Sequence, residues 1–335
     1  MTNPIYNCVI NKKTTNKPIW FMRQAGRYLP EFREIKQLNP NFINLCLNEE
    51  LSSEITIQPL KRFNLSAAII FSDILMVPYG LNQKVNFIKN LGPQLGEINL
   101  ENLLNIGQEE FIKKLQPIYN CIKKVKSNPL IENKNLIGFV GAPWTLLVYM
   151  VNKKSPKKNK IDKSFFKNKN LINNILKSLE KFLIIHIENQ INSGANVIQI
   201  FDSWVGLLDE KDLPKYAYEP TLNLVNFVRS KNIPVICFPR GIKNYKKYTE
   251  IVKPDAISID YEVDPLRIKK EIKIPVQGGL NPNILLTDKE NIKKEALKYL
   301  DIFKDHPYIF NLGHGVLPKT EPIMIDYLVK IVNDY

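Results

Sequence analysis

NLINNILKSLEKFLIIHIENQINSGANVIQIFDSWVG, residues 170–206, contains the unit from which the fold can be read. Over 170–191 apolar residues recur at helical spacing, giving an amphipathic helix with one face to bury. The run 197–201, VIQIF, is short, apolar and β-branched, the pattern of a buried strand. Directly behind the strand stands DSWVG, a segment of small, charged and aromatic residues.

The same unit recurs in both directions. Strand-like runs occupy 19–22, 67–71, 136–140, 197–201, 235–238, 256–259, 275–277 and 309–312. Helical stretches such as 221–231 and 291–303 lie between them. Eight strands alternating with helices predict an α/β protein with a parallel sheet, and the number eight favours a closed (β/α)8 TIM barrel over an open sheet. Residues 1–335 show no internal repeat and no linker that would split them, so one barrel domain is expected. The segments following the strands are RQAGR, SDIL, GAPWT, DSWVG, PRG, DYEVD, GGLNP and GHG. They concentrate Gly, Pro, Arg, Asp and His. In such a barrel all these loops meet on one face, so the sequence predicts a single site assembled from the whole chain.

Bulk properties narrow the function less. The net charge is +14, with lysine and asparagine heavily used throughout, so compositional bias accounts for much of it. A basic nucleic-acid-binding protein is one reading, but no recognised binding motif is present, and the lysine-rich segment 152–170 lacks an aromatic stacking ladder. That segment reads as a solvated loop, or alternatively as a basic flap near the mouth of the site. The four cysteines, Cys8, Cys46, Cys121 and Cys237, are far apart, with no Cys-x-x-Cys pair, so neither a zinc site nor a disulfide framework is expected. No apolar stretch reaches the length of a bilayer span, and the first residues lack a signal-peptide pattern, so a cytoplasmic protein is expected. Neither a P-loop nor a dinucleotide fingerprint follows any strand, and no cofactor is expected.

The loop after the first strand is the most telling. Arg23 and Arg27 flank Gly26, and Arg33 follows with Tyr28 and Phe32 nearby, an arrangement suited to holding several carboxylates or phosphates. MRQAGRYLPEFRE, residues 22–34, resembles the N-terminal signature of the uroporphyrinogen decarboxylase family, and GFVGAPWTLLVY, 138–149, resembles its second signature. IIFSDIL at 69–75, FDS at 201–203, PVQG at 275–278 and NLGHG at 311–315 match in the same order. The resemblance spans essentially the full chain. It implies a homodimeric barrel that converts the four acetate side chains of uroporphyrinogen, a cyclic tetrapyrrole, to methyl groups without a cofactor or metal.

On this resemblance the catalytic residues are Asp73, Arg23 and Tyr149. Substrate contacts come from Arg23, Gln24, Ala25, Gly26, Arg27, Asp73, Tyr149, Ser203 and His314. Asp73 follows a strand, so its carboxylate is expected in the barrel mouth, where it would accept pyrrole N–H groups and stabilise the cation formed when a ring carbon is protonated. Read alone, Asp73 could equally cap a helix after Ser72. Arginine is a poor acid, so Arg23 and Arg27 are expected to position carboxylates. His186, in a helical run, and His306, beside Pro307, read as structural.

Four positions depart from the family's commoner pattern. Lys36 replaces an arginine, Trp204 stands where some members have histidine, and GGLNP carries Gly279 and Asn281 where GNLDP is commoner. The nearest rival is a corrinoid- or thiol-dependent methyltransferase on the same barrel. Such relatives hold zinc through a His-x-Cys motif, and here no histidine stands two residues before a cysteine.

Overall fold

The computed structural model describes residues 3–89, 91–156 and 167–335. Most of the lysine-rich segment 152–170 lies outside the described residues. In chain order the strands are β1 (Ala67–Ile69), β2 (Val85–Ile88), β3 (Gly92–Leu95), β4 (Asn135–Gly141), β5 (Val197–Asp202), β6 (Val235–Pro239), β7 (Ala256–Ile259), β8 (Val276–Gly278) and β9 (Tyr308–Ile309). β1, β4, β5, β6, β7, β8 and β9 form one curled parallel sheet in that order, with helices outside it. β2 and β3 form a separate antiparallel hairpin, held to the end of the helix Pro143–Asn152 by the Leu95 N–H donating to the Lys153 carbonyl at 2.7 Å. The sequence reading did not foresee this hairpin, because its strands are short and β3 is interrupted by Gly92 and Pro93.

The eighth position around the barrel is occupied, though not by the regular strand expected at 19–22. Ile19 forms a parallel bridge with Phe310, and the Phe310 N–H donates to the Pro18 carbonyl at 2.7 Å. On the other side the Ser66 N–H donates to the Ile19 carbonyl at 2.8 Å. Side chains then replace the ladder. The Phe21 N–H donates to Gln24 Oε1 at 3.0 Å, and the Met22 N–H to Asn311 Oδ1 at 3.1 Å. The backbone here is satisfied without sheet pairing, which frees it to turn into the arginine loop.

Along β4 and β5 the burial alternates between two cores. Ile137, Phe139, Val197 and Phe201 point into the barrel with Trp20, Met22, Ile69, Ile236 and Phe238, while Leu136, Val140, Ile198 and Ile200 pack against the helices. Strands covered on both faces read as continuous apolar runs, which is why the sequence exposed them. The interior also holds a buried polar chain. Trp20 Nε1 donates to Gln277 Oε1 at 2.9 Å, and Gln277 Nε2 donates to Gln199 Oε1 at 3.0 Å and Ser258 Oγ at 2.7 Å. The expected helices are the observed Lys169–Asn192, Glu219–Ser230 and Lys289–Ile302.

One end of the barrel is shut. The helix Pro4–Val9 places Ile5, Cys8 and Val9 in the interior core, and the Ile5 N–H donates to Asn135 Oδ1 at 2.9 Å, at the start of β4. Nearby, the buried Lys17 Nζ donates to the carbonyls of Phe303, Lys304 and His306 at 2.8, 2.9 and 3.0 Å, which satisfies chain leaving the helix Lys289–Ile302. The opposite end, where the strands finish, is left for chemistry. Among the described residues no helix is long and apolar enough to cross a membrane.

Candidate active site

Loops following the strands are tied to one another around this open end. The Arg240 N–H donates to the Asp202 carbonyl at 3.1 Å, and the Gly206 N–H donates to the Arg240 carbonyl at 3.2 Å. The Gly241 N–H donates to Asp260 Oδ2 at 3.0 Å, and the Val316 N–H to the Met22 carbonyl at 2.9 Å. Side chains carried on this rim are therefore held by main-chain bonds between different strands.

Arg23 sits in the left-handed backbone region, at φ 62°, an uncommon place for a residue with a side chain. Its side chain lies across Gly315, where an added Cβ would stand 2.7 Å from Arg23 Cγ and 3.0 Å from Nε. The glycine of GHG thus makes the floor on which the guanidinium rests. Arg23 retains solvent contact, yet the concave mouth surrounds it with protein. Burial lowers its pKa first, Asp73 pulls it back up, and Arg27 lowers it again. Arg240 lowers it too, which places a third guanidinium in the mouth.

Asp73 follows β1. Its Oδ1 accepts the Leu75 N–H at 2.8 Å, closing a side-chain turn that occupies only one oxygen; the cap position of the short helix Met76–Gly80 falls at Leu75, not at Asp73. Burial raises the carboxyl from 3.8 to about 6, while the Leu75 N–H and Arg23 oppose that rise. Tyr149 projects from the helix Pro143–Asn152 and meets the Trp204 ring edge-on, with centroids 5.9 Å apart. Its phenol pKa is raised by burial; Ser155 opposes this, Asp73 adds to it, and Trp204 and Arg23 oppose it. His314 is lowered to about 4 by burial, then by Arg23 and Arg240, so its imidazole is neutral at pH 7. Ser203, next after β5, is half-buried, and its hydroxyl has no hydrogen-bond partner among the described residues.

Arg23, Asp73, Tyr149 and His314 therefore form one electrostatically connected cluster, together with Arg27 and Arg240. None of the three arginines is in an ion pair of 4.0 Å or less among the described residues, so no direct salt bridge neutralises their charge in the mouth. Arg240 was not singled out from the sequence. Its signal was the PRG segment after β6, where one arginine between Pro239 and Gly241 lacks the neighbours that marked the first loop.

Gln24 is a correction. Its side chain is fully buried, with Nε2 donating to the Ala67 carbonyl at 3.0 Å and Oε1 accepting from Phe21. Its own carbonyl accepts the Tyr28 hydroxyl at 2.8 Å. Gln24 shapes the arginine loop from behind and presents nothing to the mouth. Ala25 and Gly26 are half-buried backbone of that loop, and a Cβ on Gly26 would lie 3.0 Å from the Arg23 carbonyl oxygen. Arg33 turns back onto the loop, donating to the Arg27 and Tyr28 carbonyls at 3.1 Å each.

The departures at Lys36, Trp204, Gly279 and Asn281 have physical reasons. Lys36 Nζ donates to the Pro40 carbonyl at 2.6 Å, outside the cluster. Trp204 forms the wall against Tyr149. Gly279 adopts φ +99°, and a Cβ there would come 2.8 Å from Tyr299 Cε1. Asn281 caps the turn Pro282–Leu286, accepting the Asn283 N–H at 3.0 Å, a job an aspartate does equally well. His186 Nδ1 bonds the Tyr119 hydroxyl at 2.9 Å and His306 Nε2 bonds the Ile274 carbonyl at 3.0 Å, both as parts of the framework. All four cysteines are buried, and burial raises every thiol pKa, to about 12 at Cys8 and Cys237 and about 11 at Cys121. Among the described residues no three His, Cys, Asp or Glu side chains come together in a group that could hold a metal ion.

The sequence matches the family model described as Uroporphyrinogen decarboxylase (URO-D) over residues 2–335. A uroporphyrinogen decarboxylase of Rickettsia bellii is 41% identical over 330 residues, covering 97% of each chain. That of Rickettsia felis is 41% identical over 331 residues, covering 97% of this chain and 95% of its own. Among solved structures, a methyltransferase from Methanosarcina mazei has a TM-score of 0.78 at 15% identity, covering 99% of this chain and 97% of its own, which shows a common fold alone. With both signatures in place and the match running the length of the barrel, the chain belongs to the uroporphyrinogen decarboxylase family.

Proposed function

We propose that this chain decarboxylates the four acetate side chains of uroporphyrinogen III, giving coproporphyrinogen III and four molecules of carbon dioxide, as a carboxy-lyase of porphyrin synthesis. The observation that carries the reading is the mouth itself: a desolvated Asp73 set among Arg23, Arg27, Arg240, Tyr149 and His314. A substrate with eight carboxylates needs such an excess of cations, and its pyrrole N–H groups need an acceptor at the centre.

Asp73 accepts the pyrrole N–H groups through the oxygen that Leu75 leaves free. Protonation of the ring carbon adjacent to the one bearing the acetate gives a cationic pyrrole, and the electrons of the breaking C–C bond flow into it as carbon dioxide departs, leaving an exocyclic methylene. A proton delivered to the methylene completes the methyl group, and loss of the proton first placed on the ring carbon restores the aromatic pyrrole, so one proton is consumed per carbon dioxide released. The fixed carboxylate stabilises the cation without reorganising, because the fold holds it before the substrate arrives. Arg23, Arg27 and Arg240 anchor acetate and propionate groups, with Arg23 in forked geometry. Tyr149 and Ser203 supply hydroxyls to substrate carboxylates, and neutral His314 donates one N–H. The backbone of Ala25 and Gly26 lets the substrate approach the loop closely. The chain works as a single domain, in the cytoplasm, as a homodimer; the substrate's own pyrrole is the electron sink, so no cofactor or metal enters the scheme.

The test is anaerobic incubation with uroporphyrinogen III and separation of products by carboxyl number. Successive seven-, six-, five- and four-carboxyl products are expected from metal-stripped protein. Folded protein that leaves the substrate unchanged would refute the reading.

A further inference from the structure

Asp202 is 1% exposed and ends β5, yet it does not face the mouth. Along this strand Val197 and Phe201 point into the barrel, so Ile198, Ile200 and Asp202 point outward to the helices. There Asp202 Oδ1 accepts the Thr145 hydroxyl at 2.7 Å, and Thr145 Oγ1 in turn accepts the Trp204 N–H at 3.0 Å. The Trp204 carbonyl is held as well, accepting Trp144 Nε1 at 3.0 Å. Both backbone groups of Trp204 are thus pinned to the helix Pro143–Asn152.

Thr145 and Tyr149 stand four residues apart on that helix and share a face. From this face Thr145 grips the Trp204 backbone, while Tyr149 meets the Trp204 ring. A hydroxyl that must donate to a carboxylate leaves its lone pairs for the amide, so Asp202 also fixes the direction of the Thr145 bond. Asp202 Oδ2 is buried without a hydrogen-bond partner among the described residues, a costly arrangement for a group with no task beyond packing.

We propose that Asp202 and Thr145 are positioning residues for Tyr149, locking Trp204 as the wall that orients the phenol hydroxyl toward the substrate. The inference rests on the decarboxylase reading. Neither residue touches the substrate; both act through Trp204 on a group that does. It also gives the tryptophan a purpose where some relatives carry histidine: a broad ring that Tyr149 can lean on.

The test is a double-mutant cycle in the full-length protein, measuring kcat and KM with uroporphyrinogen III. Thr145→Val keeps the shape and removes the hydroxyl. It is expected to lower kcat roughly ten- to a hundredfold, with a smaller change in KM, as a misplaced catalytic group does. In a Tyr149→Phe background the same change should cost less than about twofold, because the hydroxyl being positioned is already gone. Thr145→Ser, which retains the hydroxyl, should recover most of the loss. Thr145→Ala runs the same cycle if the valine variant fails to fold. Full additivity, or unchanged kcat in a folded Thr145→Val enzyme, would overturn the inference while leaving the decarboxylase reading intact. Wild-type protein without activity would sink that reading and this inference together.

Discussion

Asp73→Asn separates what the carboxylate does for the reaction from what it costs the fold. The amide keeps an oxygen for the Leu75 N–H, so the local turn survives. The native carboxyl is raised from 3.8 to about 6 by burial, against the pull of Leu75 and Arg23. Because the folded pKa lies above the unfolded one, ionising Asp73 destabilises the folded chain. That cost is absent below pH ~4, grows as pH rises towards about 6, and is complete above it. At about 1.4 kcal/mol per pH unit between the two values, the ionised group costs at most about 3 kcal/mol, and solvent in the open mouth reduces this. Asparagine removes the cost. Thermal unfolding at pH 8 should therefore show the variant equal to wild type or more stable, by about 1–4 °C for a chain of this length. The advantage should vanish when both are compared at pH 4. Turnover should move the other way: losing a preorganised charge that stabilises the cationic intermediate should lower kcat by about 10²–10³, with KM changed less. The assay is anaerobic product formation under saturating uroporphyrinogen III, beside thermal unfolding of the same samples. A folded variant with near-native kcat would remove Asp73 from the mechanism. A variant much less stable at pH 8 than at pH 4, relative to wild type, would refute the desolvation argument.

The same carboxyl predicts that kcat/KM falls as pH drops through about 6, since the protonated acid cannot support the cation, whereas His314, lowered to about 4, should add no limb near neutrality; an acid limb unchanged in Asp73→Glu and Asp73→Asn alike would argue against this assignment. Gly315→Ala should push the Arg23 side chain off its floor, lowering kcat/KM roughly ten- to a hundredfold while unfolding shifts by only about 1–3 kcal/mol, as read by kinetics and denaturant titration. Lys17→Met, at the closed end of the barrel, should cost about 2–4 kcal/mol in urea unfolding by leaving the Lys304 and His306 carbonyls without their donor and weakening the hold on that of Phe303, which keeps the His306 N–H, with kcat retained in the folded enzyme. Gly279→Asn, which restores the commoner family residue, should destabilise by about 1–3 kcal/mol, because φ is +99° and Tyr299 fills the space; a neutral result in thermal unfolding would mean that the tyrosine moves aside freely.

What could be read in advance followed from how each group is satisfied. β4 and β5 showed themselves because both faces are buried, leaving almost nothing but apolar residues in the run. The segment at 19–22 has the same composition, but its backbone is satisfied by Gln24 and Asn311, and no hydrophobic pattern reports a side chain standing in for a neighbouring strand. For the same reason Gln24 was misassigned: a glutamine inside a binding signature looks like a ligand contact, while its position here is fixed by the Ala67 carbonyl, forty-three residues away. Arg240 illustrates the reverse failure. Its charge matters only because β6 lies across the barrel mouth from the first loop, a proximity created by closure of the sheet and invisible to any local window. Asp73, by contrast, was legible as a site candidate from its place after a strand, while the helix cap that could also be read there falls at Leu75 instead. One oxygen is committed to Leu75, which fixes the direction of the other. A carboxylate placed for catalysis is better held by such a bond than left free to rotate, so the turn that grips one oxygen is compatible with the role proposed for the other.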